Sequence, residues 1–299
     1  MIELSSLVKR YGEVEAVAGV DLSVRAGELF GLIGHNGAGK STLFKMMLGL
    51  VPPTSGDIRI DGQPVRGEAF RRVRRHVGYL PENVVLYDNL TGLETLGFFA
   101  DLKGVDRSEC APLLDKLGLA HAAARRVRGY SKGMRQRLGF AQALLGQPKL
   151  LFLDEPTNGL DPEGIREFYR ILGELKDRGV TIVLTSHILS EIQERVGRLA
   201  IMKNGRIHAV GSVQSLRETM ALPLWFDLRL SHGAEAGLRR AVDATHGAEI
   251  SIVGEHVSVR CPRHAKMPLL QALAALGPDV ADLHVREPSL EDVLLGQPG

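Results

Sequence analysis

The chain has 299 residues, 44% of them apolar and 24% charged, with a formal net charge of +2. That composition suits about two soluble domains and offers no overall field for nucleic acid. Cys110 and Cys261 lack Cys-x-x-Cys spacing, which argues against a disulfide frame and fits a reducing compartment; no run of 18 apolar residues and no signal-peptide pattern occurs, so neither a membrane span nor secretion is expected.

Short β-rich runs alternate with helical periods up to about Met220. Ile2–Val8, Leu22–Val24 and Leu29–Ile33 read as strands, with Gly and Pro punctuation between them. Directly after the third comes Gly34-His35-Asn36-Gly37-Ala38-Gly39-Lys40-Ser41, followed by the helical pattern Thr42–Leu50. This is a full G-x-x-x-x-G-K-S phosphate loop in the strand-before, helix-after setting that it requires. Glycines let successive N–H groups wrap phosphates, Lys40 reaches the outer phosphates, and the Ser41 hydroxyl offers a Mg2+ position. The helix beginning near Thr42 adds the positive end of its dipole.

Further along, Asp57–Ile60 and Val77–Leu80 read as strands, and a helical insertion is expected over about residues 86–145. Within it, Ser131 is an N-cap for a helix whose apolar stripe runs Met134, Leu138, Ala141 and Leu145. Leu150–Leu153 and Val180–Leu184 are continuous apolar runs, the mark of parallel strands buried on both faces. The first ends in Asp154 and Glu155, which places two acids at the carboxyl edge of the sheet, where open α/β folds bind ligands. Asp154 is the metal-side carboxylate and Glu155 the candidate that orients or deprotonates an attacking water. His187 follows the second run; its spacing fits a contact to a γ-phosphate or a cap equally well. The arginine-rich stretches Arg71–Arg75 and Arg125–Arg128 read as solvated faces.

The order phosphate loop, Tyr130-Ser131-Lys132-Gly133-Met134-Arg135-Gln136, acidic strand, Gly159-Leu160-Asp161 and His187 resembles the ATP-binding cassette (ABC) ATPase family over residues 1–220. Tyr130, Lys132 and Met134 depart from the usual Leu-Ser-Gly-Gly-Gln signature, whereas Ser131 and Gly133 keep it. The resemblance implies ATP and Mg2+ as cofactors and a P-loop α/β nucleotide-binding domain with a helical insertion. It further implies a homodimer in which Ser131 and Gly133 of one copy cover the ATP of the other. Tyr11 is similar to the family's adenine-stacking aromatic, Asp161 to its inter-subunit loop acid and His187 to its γ-phosphate switch. Glu82 stands where the family usually has glutamine, and is expected either to sit near the metal or to swing away.

Residues 221–299 read as β-α-β-β-α-β, a small α+β, ferredoxin-like accessory domain ending in Glu287–Val293, similar to the appended domain of exporter-type ABC ATPases. His232, His246, His256, His264 and His284 with Cys261 lack paired zinc or copper spacing and are read as ordinary core or surface residues.

Within the family, Gly34–Gly37, Gly78–Asn83, Leu117–Ala123 and Tyr130–Leu138 together resemble the ATPase subunits of NosDFY-type transporters, which mature the copper sites of nitrous-oxide reductase. This implies a NosY-like integral membrane permease, a NosD-like periplasmic subunit reached through it, and a place on the cytoplasmic face of a bacterial inner membrane. The alternative is the ATPase of a drug or lipid exporter. An ABC ATPase acting on ribosomes or DNA is disfavoured by the single cassette and the absence of sustained heptads.

Overall fold

Continuous apolar runs demand cover on both faces, and the strands Leu150–Leu153 and Thr181–Ser186 are buried at every position. In the computed structural model, which describes residues 1–219, 223–231, 234–253 and 256–286, they form the centre of a mixed sheet. Its order is Arg206–Gly211, Arg198–Lys203, Leu29–Ile33, Thr181–Ser186, Leu150–Leu153, Val77–Leu80. The last five strands are parallel and the first is antiparallel at the edge. Arg198–Lys203 and Arg206–Gly211 were not expected from the sequence.

A second, antiparallel sheet is ordered Val14–Val24, Ile2–Tyr11, Ser55–Ile60, Gln63–Pro64. Its first strand is longer than the expected Leu22–Val24, because the alternation of apolar residues continues through a left-handed Gly19 and several register shifts. Between these layers lies the helix Lys40–Met47. It buries Leu43, Phe44, Met46 and Met47, and Phe44 meets Phe152 edge to face at 5.3 Å.

The helical region consists of Gly92–Lys103, Cys110–Lys116 and Lys132–Leu144. Helix begins at Gly92 and not near residue 86, because Thr91 and Glu94 form a reciprocal capping box that sets the boundary. The Gly67–Arg74 helix buries only Phe70, so its arginines are solvated as expected.

Contacts divide the chain into two compact units, Met1–Ser212 and Val213–Gly299. In the second, the strands Leu224–Leu230, Glu249–Val253, His256–Cys261 and Val280–Arg286 and the helices Glu235–Asp243 and Lys266–Ala274 follow in β-α-β-β-α-β order. The antiparallel sheet runs Glu249–Val253, His256–Cys261, Leu224–Leu230, Val280–Arg286. Phe226, Leu228, Val259 and Cys261 pack against Leu238, Val242, Leu269 and Leu273. Burial pushes the Cys261 thiol up, as befits a core cysteine. The expected terminal segment Glu287–Val293 and His232 lie outside the described residues.

Candidate nucleotide-hydrolysis site

The phosphate loop leaves the strand Leu29–Ile33 and enters the helix Lys40–Met47. Its glycines answer two different constraints. A Cβ on Gly34 would lie 2.3 Å from the Met202 carbonyl oxygen; one on Gly39, already at φ +103°, would lie 2.4 Å from that of Ala16. The loop is thus clamped between the strand Arg198–Lys203 of the mixed sheet and the antiparallel sheet. Ala38 donates its N–H to the His35 carbonyl and accepts from the Gly205 N–H, while His35, Asn36 and Gly37 are exposed. Ser41 and Thr42 are half-buried in the first turn of the helix.

Lys40 is buried, and its ammonium donates to the carbonyl oxygens of Gly34 at 2.5 Å and His35 at 3.3 Å. It also lies 3.5 Å from Glu155 Oε1. Two buried opposite charges are tolerable only when each has further partners. For Glu155 the other partner is His187, whose Nδ1 stands 2.8 Å from Oε2. A carboxylate only accepts, so Nδ1 carries the hydrogen, and Nε2 donates to a phosphate oxygen only in the charged ring. Glu155 Oε1 has no hydrogen-bond partner among the described residues.

Asp154 and Glu155 are both buried, and their side chains part company through the backbone: Glu155 sits at φ +46°, in the left-handed region. Thr185, on the adjacent strand, accepts the Glu155 N–H at 2.9 Å and donates to Asp154 Oδ1 at 2.6 Å. The sequence reading gave Thr185 no role; a hydroxyl directly after the apolar run Ile182–Leu184 of a buried strand was the available signal. Gln136 is another such residue, its amide donating to the Pro156 carbonyl at 2.9 Å and tying the signature helix to the acidic strand.

Ser131 caps the helix Lys132–Leu144 by accepting the Met134 N–H at 3.2 Å. Gly133 faces the Gly159 carbonyl, 3.0 Å from where a Cβ would stand. Asp161 caps the helix Pro162–Asp177 through the Gly164 N–H and lies 3.7 Å from Arg137. The signature and the Gly159–Asp161 loop therefore contact each other, while Lys40, Glu155 and His187 form a separate cluster. Tyr11 is half exposed with the Lys9 ammonium over its ring. Glu82 is exposed beyond the strand Val77–Leu80. Burial first, then the charges of Asp154 and Glu82, push the Tyr79 hydroxyl up to about 12.

A phosphate loop at the carboxyl edge of a parallel sheet, with two acids ending the next strand but one, defines a P-loop nucleotide-binding fold. Residues 17–158 match the family model described as ABC transporter. The lantibiotic transport ATP-binding protein SrtF of Streptococcus pyogenes is 42% identical over 207 residues, covering 69% of this chain and 89% of that protein. The linearmycin resistance ATP-binding protein LnrL of Bacillus subtilis is 31% identical over 307 residues, covering 100% of this chain and 98% of its own length. Among solved structures, an ATP-binding subunit of an ABC transporter superposes with a TM-score of 0.67 at 34% identity, over 74% of this chain and 93% of that one. A dimeric, post-hydrolysis cassette bound to ADP and Pi gives 0.66 at 25% identity, over 71% and 98%. The chain belongs to the ATP-binding subunits of ABC transporters, and it is an ATPase.

Proposed function

We propose that this chain is the ATP-hydrolysing subunit of a bacterial exporter of amphipathic antibiotics or peptides, working as a homodimer on a separate membrane permease. The relatives carry the cargo half of this reading: besides SrtF and LnrL, the bacitracin transport ATP-binding protein BcrA of Bacillus licheniformis is 41% identical over 209 residues, covering 69% of this chain and 68% of that protein. LnrL matches end to end, so the resemblance includes the C-terminal unit. The copper-maturation assignment expected from the sequence, with its NosY-like and NosD-like partners, finds no support in these relatives, and the exporter alternative fits better.

The Lys40–Glu155–His187 cluster carries the catalytic half. In this reading the loop from His35 to Thr42 cradles the phosphates, Lys40 turns from its backbone carbonyls to the β- and γ-phosphates, and Tyr11 stacks on adenine. Glu155 takes a proton from the attacking water as its oxygen bonds to the γ-phosphorus and the bond to the bridging oxygen breaks, while His187 holds a γ-phosphate oxygen. The donor set fits Mg2+: hard oxygens from the Ser41 hydroxyl and the Asp154 carboxylate would hold it, the remaining ligands being phosphate oxygens and water. When bound, that ion neutralises charge between the phosphates. Ser131, Gly133 and Asp161 act across the two-fold axis on the nucleotide of the partner copy. Glu82, exposed and one strand end from Asp154, is assigned to coupling and not to metal binding.

Among the described residues no helix is long and apolar enough to cross a membrane. The permease is given a landing site by Val85, 87% exposed, and by Tyr87, Phe98 and Leu102 on the helical region, where Tyr87 and Phe98 meet edge to face at 5.7 Å. A sheet whose two central strands are the first and third of the four in sequence supports a ferredoxin-like accessory domain in the Val213–Gly299 unit. The test is deletion in the native host with antibiotic challenge and detergent purification of the tagged chain. Sensitisation to a lantibiotic or to linearmycin and co-purification of a multi-span subunit are expected; loss of nitrous-oxide reductase copper without sensitisation would restore the copper reading.

A further inference from the structure

Thr185 is fully buried on its strand, directly after the apolar run Ile182, Val183 and Leu184. A hydroxyl there needs partners, and both of its bonds go to the two acids of the site. The amide of Glu155 can only donate, so the oxygen of Thr185 accepts from it and the hydroxyl hydrogen is committed to Asp154 Oδ1. One side chain thereby sets two things. It ties down the peptide entering a non-glycine residue at φ +46°, a conformation that surrounding structure has to enforce. It also fixes the rotation of the Asp154 carboxylate by occupying one of its oxygens. The left-handed turn is what aims Glu155 at Lys40 and His187, 3.5 and 2.8 Å away, instead of along the strand direction of Asp154. A β-branched residue suits this task because its hydroxyl is held at a restricted χ1.

We propose that Thr185 is a positioning residue for ATP hydrolysis, holding Glu155 in its left-handed turn and Asp154 in its rotamer through one doubly used hydroxyl. This rests on the reading of Glu155 as the proton acceptor. Removing the hydroxyl while keeping the volume leaves the phosphate loop intact, so nucleotide binding persists and the chemical step slows.

The experiment compares steady-state ATPase kinetics of the full-length chain with those of Thr185→Val, Thr185→Ser, Glu155→Gln and Glu155→Gln/Thr185→Val. Thr185→Val is expected to lower kcat on the order of 10- to 100-fold, the size of effect that misplacing a reacting group produces, with KM for ATP within about twofold. Thr185→Ser should recover to within about threefold of the wild type, because the hydroxyl returns. In the Glu155→Gln background the valine should add less than about threefold, since residues acting as one unit are non-additive. Should Thr185→Val fail to fold, Thr185→Cys, with similar volume and a weak donor, takes its place under the same criteria. A kcat within about twofold of wild type, a loss appearing in KM alone, or a full additive loss on top of Glu155→Gln each overturns the proposal. If Glu155→Gln itself hydrolyses ATP at the wild-type rate, the underlying reading of Glu155 fails, whatever Thr185 does.

Discussion

Three side chains, the buried Lys40 and Glu155 and the exposed His187, form one chain of polar contacts, and the consequences of changing any of them follow from their partners. Glu155→Gln keeps the shape and a contact to His187 but cannot accept a proton; turnover should fall on the order of 100- to 10,000-fold with ATP affinity nearly unchanged, as single-turnover assays and equilibrium binding would show. Gly39→Ala asks an L-residue to adopt φ +103° and puts its methyl 2.4 Å from the Ala16 carbonyl oxygen. A loss of about 1–3 kcal/mol in denaturant unfolding, together with weakened ATP binding, is expected. At this scale the sequence was informative wherever chemistry is written in a fixed spacing. The residues 34–41 and the pair Asp154–Glu155 announce themselves by type and neighbours, and Ser131 by its place before an apolar stripe. Thr185 and Gln136 did not, because their importance lies in which strand or loop stands beside them, and spacing along one chain carries no record of that.

Among the elements, the helical region is held at its entrance by the Thr91–Glu94 box, in which Glu94 accepts from the Thr91 N–H at 2.8 Å and Thr91 accepts from the Glu94 N–H at 3.2 Å. These bonds hold the Glu94 carboxyl below its ordinary range. Thr91→Ala should cost about 1 kcal/mol of stability by chemical denaturation. The link between this region and the sheet is also readable in Tyr79. Its hydroxyl is raised to about 12 by burial and by Asp154 and Glu82, so the folded state keeps a proton that the unfolded chain releases near pH 10. Stability contributed here is whole below pH 10 and lost as pH rises toward 12. Thermal melts across that window should fall, and should fall less steeply in Tyr79→Phe. Beyond Glu82, Asp88 pairs with Arg135 of the signature helix at 2.7 Å, and the Val127 N–H donates to the Leu90 carbonyl. The segment after the strand Val77–Leu80 thus ties the acidic site to the signature helix. Helical periodicity marked most of this region; its start was placed some residues early because apolar residues such as Val85 and Tyr87 serve an exposed surface and not a helix face. The strands Arg198–Lys203 and Arg206–Gly211 also escaped the sequence reading. Arg198–Lys203 buries Leu199 to Met202 but starts and ends on charged residues, and Arg206–Gly211 alternates exposed and half-buried positions, so the second mimics loop composition until antiparallel pairing is seen.

At the level of the whole molecule, Gly133 of the signature stands against its own Gly159 carbonyl and Ser131 caps its own helix, so a complete active site needs a second copy if those residues serve a nucleotide. Switching such a dimer from almost fully open to almost fully closed calls for about 5.5 kcal/mol of preference for the closed form, which two shared ATP molecules can supply. ATP at about 100 times its Kd should also stabilise the chain by about 2.7 kcal/mol, visible as a raised melting temperature that Lys40→Ala abolishes. Fold class was legible from the alternation of buried strands and helices. Cargo was not, because the residues 34–41, Asp154, Glu155 and His187 speak only to phosphate chemistry; the copper expectation finds no support among the relatives. The most direct test of the shared-nucleotide account is the absolute mass of Glu155→Gln by light scattering during gel filtration, with and without saturating Mg-ATP. The account predicts a shift from the 32.5 kDa chain to twice that mass on adding Mg-ATP, abolished by Ser131→Arg; a single-chain mass at every ATP concentration would contradict it.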